Sequence, residues 1–258
     1  MEPDAPTSAE ERRDKIVSLR AQLRQEPANV DLYARLGVEL FAAGDYDGAA
    51  DAYLQAATLE PDRAAHYADY GVASACANRL PEALAACRHA VYLFPDDPIA
   101  HQFLGFTLCL SGLFDEGVEA YRRNLALGDD EAEARVWLAS ALRLGGRFEE
   151  ARIVLEAAAR IFPNDFGVCL SLSLVYKKLA RAEDAERLLN AARRLSLGEP
   201  AYSQACLALA EGDVEASLDH LSTALSNQEA PWIEARIDPD LELLHPHPRF
   251  QRMIKGCD

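Results

Sequence analysis

Pro27, Pro61, Pro95 and Pro163 fall on one 34-residue grid, with Asp129 at the step between the last two. A period of this length points to a stack of repeated supersecondary units, each unable to bury its apolar face without a neighbour. Further columns keep the same time: Gly37, Gly71, Gly105 and Ala139; Ala49, Ala83, Gly117, Ala151 and Ala185; Leu36, Tyr70, Leu104, Leu138 and Leu172. Each column answers a geometric demand. The two small-residue columns mark where paired helices cross, because only a minimal side chain lets two backbones approach there. Tyr33, Leu36 and Leu40, then Tyr53 and Ala56, supply apolar positions three and four apart, as a helical stripe requires. The proline disfavours helix in the residue before it, so each pair is punctuated.

Between the helices of a pair lies a polar turn, as in Ala43–Gly44–Asp45–Tyr46, Ser111–Gly112–Leu113–Phe114 and Gly145–Gly146–Arg147–Phe148. Glycine there supplies a left-handed helix stop, and the aromatic after it can return to the interior. This pattern resembles the tetratricopeptide repeat, a helix–turn–helix unit of this length. Repeats are expected at 30–63, 64–97, 98–131, 132–165 and 166–199, about two thirds of the chain. The resemblance implies an all-α fold, a right-handed α–α superhelix whose first helices line a concave side.

The ends depart from the pattern as the ends of a stack should. Ser173 and Leu197 replace glycine and proline in the fifth repeat. Helices at about 201–210 and 214–226, around Glu211–Gly212–Asp213, read as a degenerate sixth pair within 200–227. Residues 1–9 are expected to be disordered. Glu10 to Gln25, with Ile16, Leu19 and Leu23 inward, reads as a capping helix within 10–29. The turn-rich segment 228–258, with Ala230–Pro231–Trp232, Asp238–Pro239–Asp240–Leu241 and His245–Pro246–His247–Pro248–Arg249–Phe250, reads as a capping tail. Its short final helix is expected at about 248–254. Trp232, Leu241, Leu244 and Phe250 are its anchors, set to cover the sixth pair.

With 26 Lys plus Arg against 42 Asp plus Glu, the formal charge is −16. That balance opposes non-specific binding to nucleic acid or anionic membranes. No apolar stretch of about 18 residues exists to cross a bilayer, and the opening residues lack the order of a signal peptide. A cytoplasmic location is therefore expected, and the Arg- and Ala-rich composition is compatible with a bacterial origin. Cys76, Cys87, Cys109, Cys169, Cys206 and Cys257 show no paired spacing and read as packing thiols. No phosphate-binding loop, nucleophile elbow or His-Glu-x-x-His helix is present. His66, His89, His101 and His220 are scattered, and His245 and His247 are better turn residues than metal ligands. Asp62, Asp96, Asp97, Asp129 and Asp130 stand where helix capping favours carboxylates. Neither catalysis, a cofactor nor a metal is expected.

Function must then come from a surface. Transferring the family's usual contact positions on the first helices gives Ala34, Val38, Phe41, Ala68, Val72, Ala75, Gln102, Phe103, Phe106, Cys109, Val136, Trp137, Ser140, Arg143, Leu170, Leu174, Lys177 and Lys178. The early part is apolar and the late part cationic, although Phe103 and Trp137 could instead pack between repeats. The carboxylate clamp of the family's chaperone-tail binders is absent: Ala34, Val38, Asp69, Ile99 and Phe103 fill one frame, and Ala68, Val72, Phe103, Glu133 and Trp137 the next. The expected partner is a protein or peptide with apolar anchors against Val38, Phe41, Val72 and Phe106 and an acidic portion near Arg143, Lys177 and Lys178. An adaptor, a scaffold or a client-specific chaperone, as in secretion systems, would use the surface this way. The alternative is a structural subunit that self-assembles, or docks on an enzyme or secretion apparatus, through its convex face or its tail.

Overall fold

The computed structural model describes residues 9–128, 131–227 and 232–255, so Asp129, Asp130, Ala230, Pro231 and Cys257 lie outside the described residues. The described chain is helical throughout: α1 (Ala9–Gln25), α2 (Val30–Ala42), α3 (Tyr46–Leu59), α4 (Ala64–Cys76), α5 (Leu80–Leu93), α6 (Pro98–Leu110), α7 (Phe114–Ala126), α8 (Ala132–Leu144), α9 (Phe148–Ile161), α10 (Phe166–Lys178), α11 (Ala182–Leu195), α12 (Ala201–Glu211), α13 (Val214–Ser226), α14 (Trp232–Ile237), a 3₁₀ turn (Glu242–Leu244) and α15 (Pro248–Lys255). Within each unit consecutive helices pack against one another, as in α2 with α3, α4 with α5, α8 with α9, α10 with α11 and α12 with α13. The five first helices begin at residues 30, 64, 98, 132 and 166, in step with the proline grid.

Local chemistry sets these boundaries. Asn29, Asp45, Asp165 and Asp213 cap α2, α3, α10 and α13, each accepting a hydrogen bond from the backbone N–H three residues on, at 3.1, 2.9, 2.8 and 3.0 Å. Asp97 likewise accepts from the Ile99 N–H at 3.0 Å. The turn inside each pair needs a left-handed residue. Gly44, Gly112 and Gly146 supply it at φ 80°, 74° and 73°, whereas Asn78 and Ala180 adopt it at 60° and 57°.

The chain forms two compact units, Met1–Thr107 and Leu108–Asp258. In the first, one core joins α1 to the first two pairs: Leu19, Leu23, Leu32, Leu36, Leu40, Tyr53 and Tyr70 pack with Ala49, Ala73 and Ala86. The N-terminal helix thus buries its stripe on α2, and the Arg12 guanidinium donates to the Ala42 carbonyl at 2.7 Å. The small-residue column has its expected cause here. A Cβ added to Gly71 would lie 2.5 Å from Cys87 Sγ and 3.3 Å from the Ala83 carbonyl oxygen.

In the second unit, a separate core gathers Val118, Tyr121, Leu138, Leu142, Leu155, Leu172, Val175 and Tyr176 around Ala139, Ala151 and Ala185. The sixth pair follows, with α12 extending to Glu211 and turning at Gly212 (φ 92°). Ser217 is buried and donates to the Ala205 carbonyl at 2.7 Å, tying α13 to α12. The tail then packs with Trp232, Ile233, Leu241, Leu244 and Phe250 at 5% exposure or less. Its final helix meets α13, where Arg249 pairs with Glu215 at 3.2 Å and Asp219 at 2.6 Å.

Exposed ion pairs run between the second helices within each unit. Arg79, at the start of α5, reaches Asp51 of α3 at 3.1 Å, and Arg147, at the start of α9, reaches Asp115 of α7 at 3.0 Å. Such pairs contribute little singly, roughly 0–1 kcal/mol each. They do account for many of the charges without any catalytic role.

Candidate functional site

The positions transferred from the family pattern fall into distinct environments. In the first unit Val38 is 56% exposed on α2, and Ala34, Phe41, Val72, Gln102, Phe103 and Phe106 are half-buried. Phe41 also packs edge-on against Tyr46, with ring centroids 5.1 Å apart, which takes up part of its surface. Ala68 and Ala75 are buried, at 6% and 0% exposure. They sit under the first-helix surface because a small residue there lets neighbouring helices close, and they offer a partner no contact area.

In the second unit α10 packs on both α8 and α12, so the three first helices present one continuous face. Cys109, Arg143 and Leu170 are buried; Val136, Trp137, Ser140 and Leu174 are half-buried. Trp137 stacks near Tyr121, at 6.4 Å between centroids, and belongs to the core margin with Val136. The sequence left Trp137 open between surface and packing, and packing is what it does. Ile237, at the end of α14, packs against the same core, so the tail reaches across this face as well as over α13.

The cations expected to receive a partner's acidic portion are engaged by the chain itself. Arg143 of α8, 97 residues away in sequence, forms a buried ion pair with Asp240. Lys178 of α10 pairs with Glu242 at 2.9 Å, and its ammonium stands 6.0 Å from the Phe148 ring centroid. Lys177 donates to the Ala210 carbonyl at the end of α12, satisfying one of the last orphan acceptors of that helix. From α12 itself, the Tyr202 hydroxyl donates to Asp238 at 2.9 Å, and the Cys206 thiol lies 3.8 Å from the same oxygen. Asp238, Asp240 and Glu242 are therefore met by donors on α12, α8 and α10 in turn. A tight turn holds the segment's shape, with the Asp240 N–H donating to Asp238 Oδ1 at 2.8 Å.

The electrostatics of this contact are uneven. Burial, reinforced by Asp240, pushes the Asp238 carboxyl up to about 6 despite the Tyr202 hydrogen bond and the Arg143 charge. Burial, with Asp238 and Glu133 nearby, pushes Glu234 up to about 7. Glu242 moves the other way, its hydrogen bond to Lys178 holding it below the ordinary carboxylate range. Desolvation also lifts the Cys87 and Cys109 thiols to about 11 and 12, so these sulfurs stay protonated and unreactive at neutral pH.

Sequence reasoning missed Tyr202, Glu234, Asp238, Asp240 and Glu242 as members of this site. The signal available was charge: a cationic face in a chain of net −16 is most simply neutralised from within. The histidines take structural positions. His101 contacts the Pro95 carbonyl at 2.8 Å, His247 Nδ1 accepts from the Arg249 N–H at 3.2 Å, and His245 stacks on Phe250. Among the described residues no cluster of three metal-ligating side chains occurs, and no helix is long and apolar enough to cross a membrane.

Paired helices on a 34-residue period define a helical repeat protein. The tetratricopeptide repeat family model matches residues 34–98 and 111–166. A tetratricopeptide repeat protein from Parabacteroides merdae ATCC 43184 superposes with a TM-score of 0.68 over 96% of this chain and 92% of its own, at 15% identity. MamA matches with a TM-score of 0.56 over 67% and 94% at 20% identity. YrrB, a TPR protein with an unusual peptide-binding site, matches with a TM-score of 0.55 over 75% and 97% at 18% identity. At these identities the likeness is one of fold. No curated protein sequence matches the chain. The chain is a tetratricopeptide repeat protein, a class that typically serves as a protein–protein interaction module.

Proposed function

We propose that this protein is a non-catalytic adaptor, scaffold or client-specific chaperone whose first unit takes an apolar segment of another protein on its first helices. The observation that carries this reading is Val38, a large aliphatic side chain left 56% exposed on α2. Phe41, Val72 and Phe106 add half-buried apolar area in the same unit. An apolar anchor of this kind, with the exposed Arg35 one turn before it on α2, is how such surfaces obtain affinity. YrrB, with its peptide-binding site on a similar fold, supports the class of ligand and leaves its identity open.

The test is a photo-crosslinking residue placed at Val38 and, in a second variant, at Ile153. Ile153 is 58% exposed on α9, a second helix of the other unit. An adduct formed from position 38 and not from 153, and lost on Phe106→Asp with helicity intact, is the expected result. An adduct confined to position 153 would move function to the outer helices and favour assembly as a structural subunit.

A further inference from the structure

The contact between the tail and the second unit describes a ligand as much as a cap. Leu241 and Leu244 are fully buried, and the carboxylates of Asp238, Asp240 and Glu242 alternate beside them. Three successive first helices, α8, α10 and α12, contribute donors to Asp240, Glu242 and Asp238 respectively. This is the chemistry by which a helical face recognises an acidic segment with aliphatic anchors, here satisfied within one chain.

The seat leaves the anchors fully buried and serves the charges poorly. Glu234, Asp238 and Asp240 crowd together with Glu133 of α8, Tyr121 of α7, and Tyr202 and Cys206 of α12, and Arg143 is the cation acting on Asp238. The Trp232 indole N–H and His245 Nε2 are buried with no hydrogen-bond partner among the described residues. Desolvated carboxylates and unpaired buried polar atoms both cost free energy. A segment with the same anchors but fewer buried acids would seat better.

We propose that the face formed by α8, α10 and α12 is a second peptide site, held in cis by residues 232–244 and open to a partner segment carrying paired aliphatic anchors and carboxylates that meet Arg143 and Lys178. The tail is a resident competitor. Tethering gives it an effective concentration on the order of millimolar, so a partner must outbid it or find it loosened. This site is independent of the one on the first unit.

The probe is a fluorescein-labelled synthetic peptide of residues 232–246 carrying Asp238→Asn, followed by anisotropy against the full-length protein. Wild type should bind it weakly. Asp240→Lys sets an ammonium against Arg143, loosens the resident segment and should tighten binding at least tenfold; adding Arg143→Glu should abolish it. Glu242→Lys opposes the exposed Lys178 without touching the core, and gives the same readout should Asp240→Lys lose helicity. Binding no better than that of a scrambled peptide, in a variant with native helicity, overturns the proposal, because the tail is then a fixed cap. A variant that elutes as a dimer with exchanged tails overturns it too, since the occupant would be a second copy.

Discussion

The two units are built from the same repeat and end with opposite surfaces. In the first, the usual contact positions of α2 carry an aliphatic side chain exposed to solvent at Val38; in the second, the corresponding cations of α8 and α10 are already paired with the chain's own carboxylates. The repeat therefore fixes where first helices stand, while a segment outside the repeats decides whether their face is free. Replacing one first-helix arginine in each unit should expose the contrast most strongly. Arg143→Ala leaves Asp240 buried beside Asp238 without its cation, and removing one partner of a buried pair costs about 3–5 kcal/mol. Arg35→Ala on exposed α2 should change stability by no more than about 0.5 kcal/mol. Urea unfolding followed by circular dichroism measures both, and equal effects would erase the distinction between the units.

The small-residue column separates the units again, with a smaller effect. Gly71 has Cys87 Sγ and the Ala83 backbone in the space a Cβ would take, whereas Ser173 in the same column of the fifth repeat is buried and donates to the Leu170 carbonyl at 2.8 Å. Gly71→Ser should therefore cost about 2 kcal/mol through overpacking. Ser173→Gly, which relieves nothing, should cost about 1 kcal/mol through backbone entropy. Thermal melts of the two variants decide it; a harmless Gly71→Ser would mean the crossing in the first unit is looser than described.

Acidity should act on the docked tail of the second unit. Glu234 and Asp238 are held up at about 7 and 6 against ordinary values of 4.5 and 3.8, so the docked tail binds protons more tightly than the released one. A carboxyl raised by folding contributes its stability at low pH and loses it as pH climbs through the raised value. Docking should accordingly weaken between about pH 4 and pH 7. Glu242, held low by Lys178, opposes this only below its unfolded range, near pH 4.5 and under. Hydrogen exchange of residues 232–244, corrected for intrinsic rates, should show roughly tenfold greater protection at pH 5.5 than at pH 8. Protection that rises with pH would mean the Arg143 and Lys178 pairs dominate the carboxylate burial.

What the sequence disclosed and what it withheld follow the same line of physics. Helix starts, the left-handed turns and the final helix at Pro248 were legible because capping, glycine and proline act over a few residues. The tail anchors Trp232, Leu241, Leu244 and Phe250 were legible as apolar residues between prolines. Arg143, Lys177 and Lys178 were legible as a cationic cluster, yet they read as vacant. The pairing of Arg143 with Asp240 spans 97 residues, and no local pattern records a contact of that range. Ala68 and Ala75 were misplaced for a related reason: a contact position on a family template becomes a core position when its side chain is too short to leave the interface.

The smallest expected effect lies at the turn inside each pair, where the units differ in a single residue type. Gly44, Gly112 and Gly146 adopt the left-handed conformation freely, while Asn78 in the first unit and Ala180 in the second adopt it against the preference of a side chain. Asparagine tolerates that region because its short amide can satisfy local backbone groups; alanine has no such recourse. Ala180→Gly should then stabilise the second unit by about 0.5–1 kcal/mol, the relief of the strained φ exceeding the added freedom of the unfolded chain. Asn78→Gly should gain no more than a few tenths of that scale. Because Ala180 follows Lys178 by two residues, a tighter turn should also hold the lysine against Glu242 and slow exchange in the tail. A melting temperature that falls on Ala180→Gly would show that the alanine's left-handed φ is held by packing whose loss outweighs the strain.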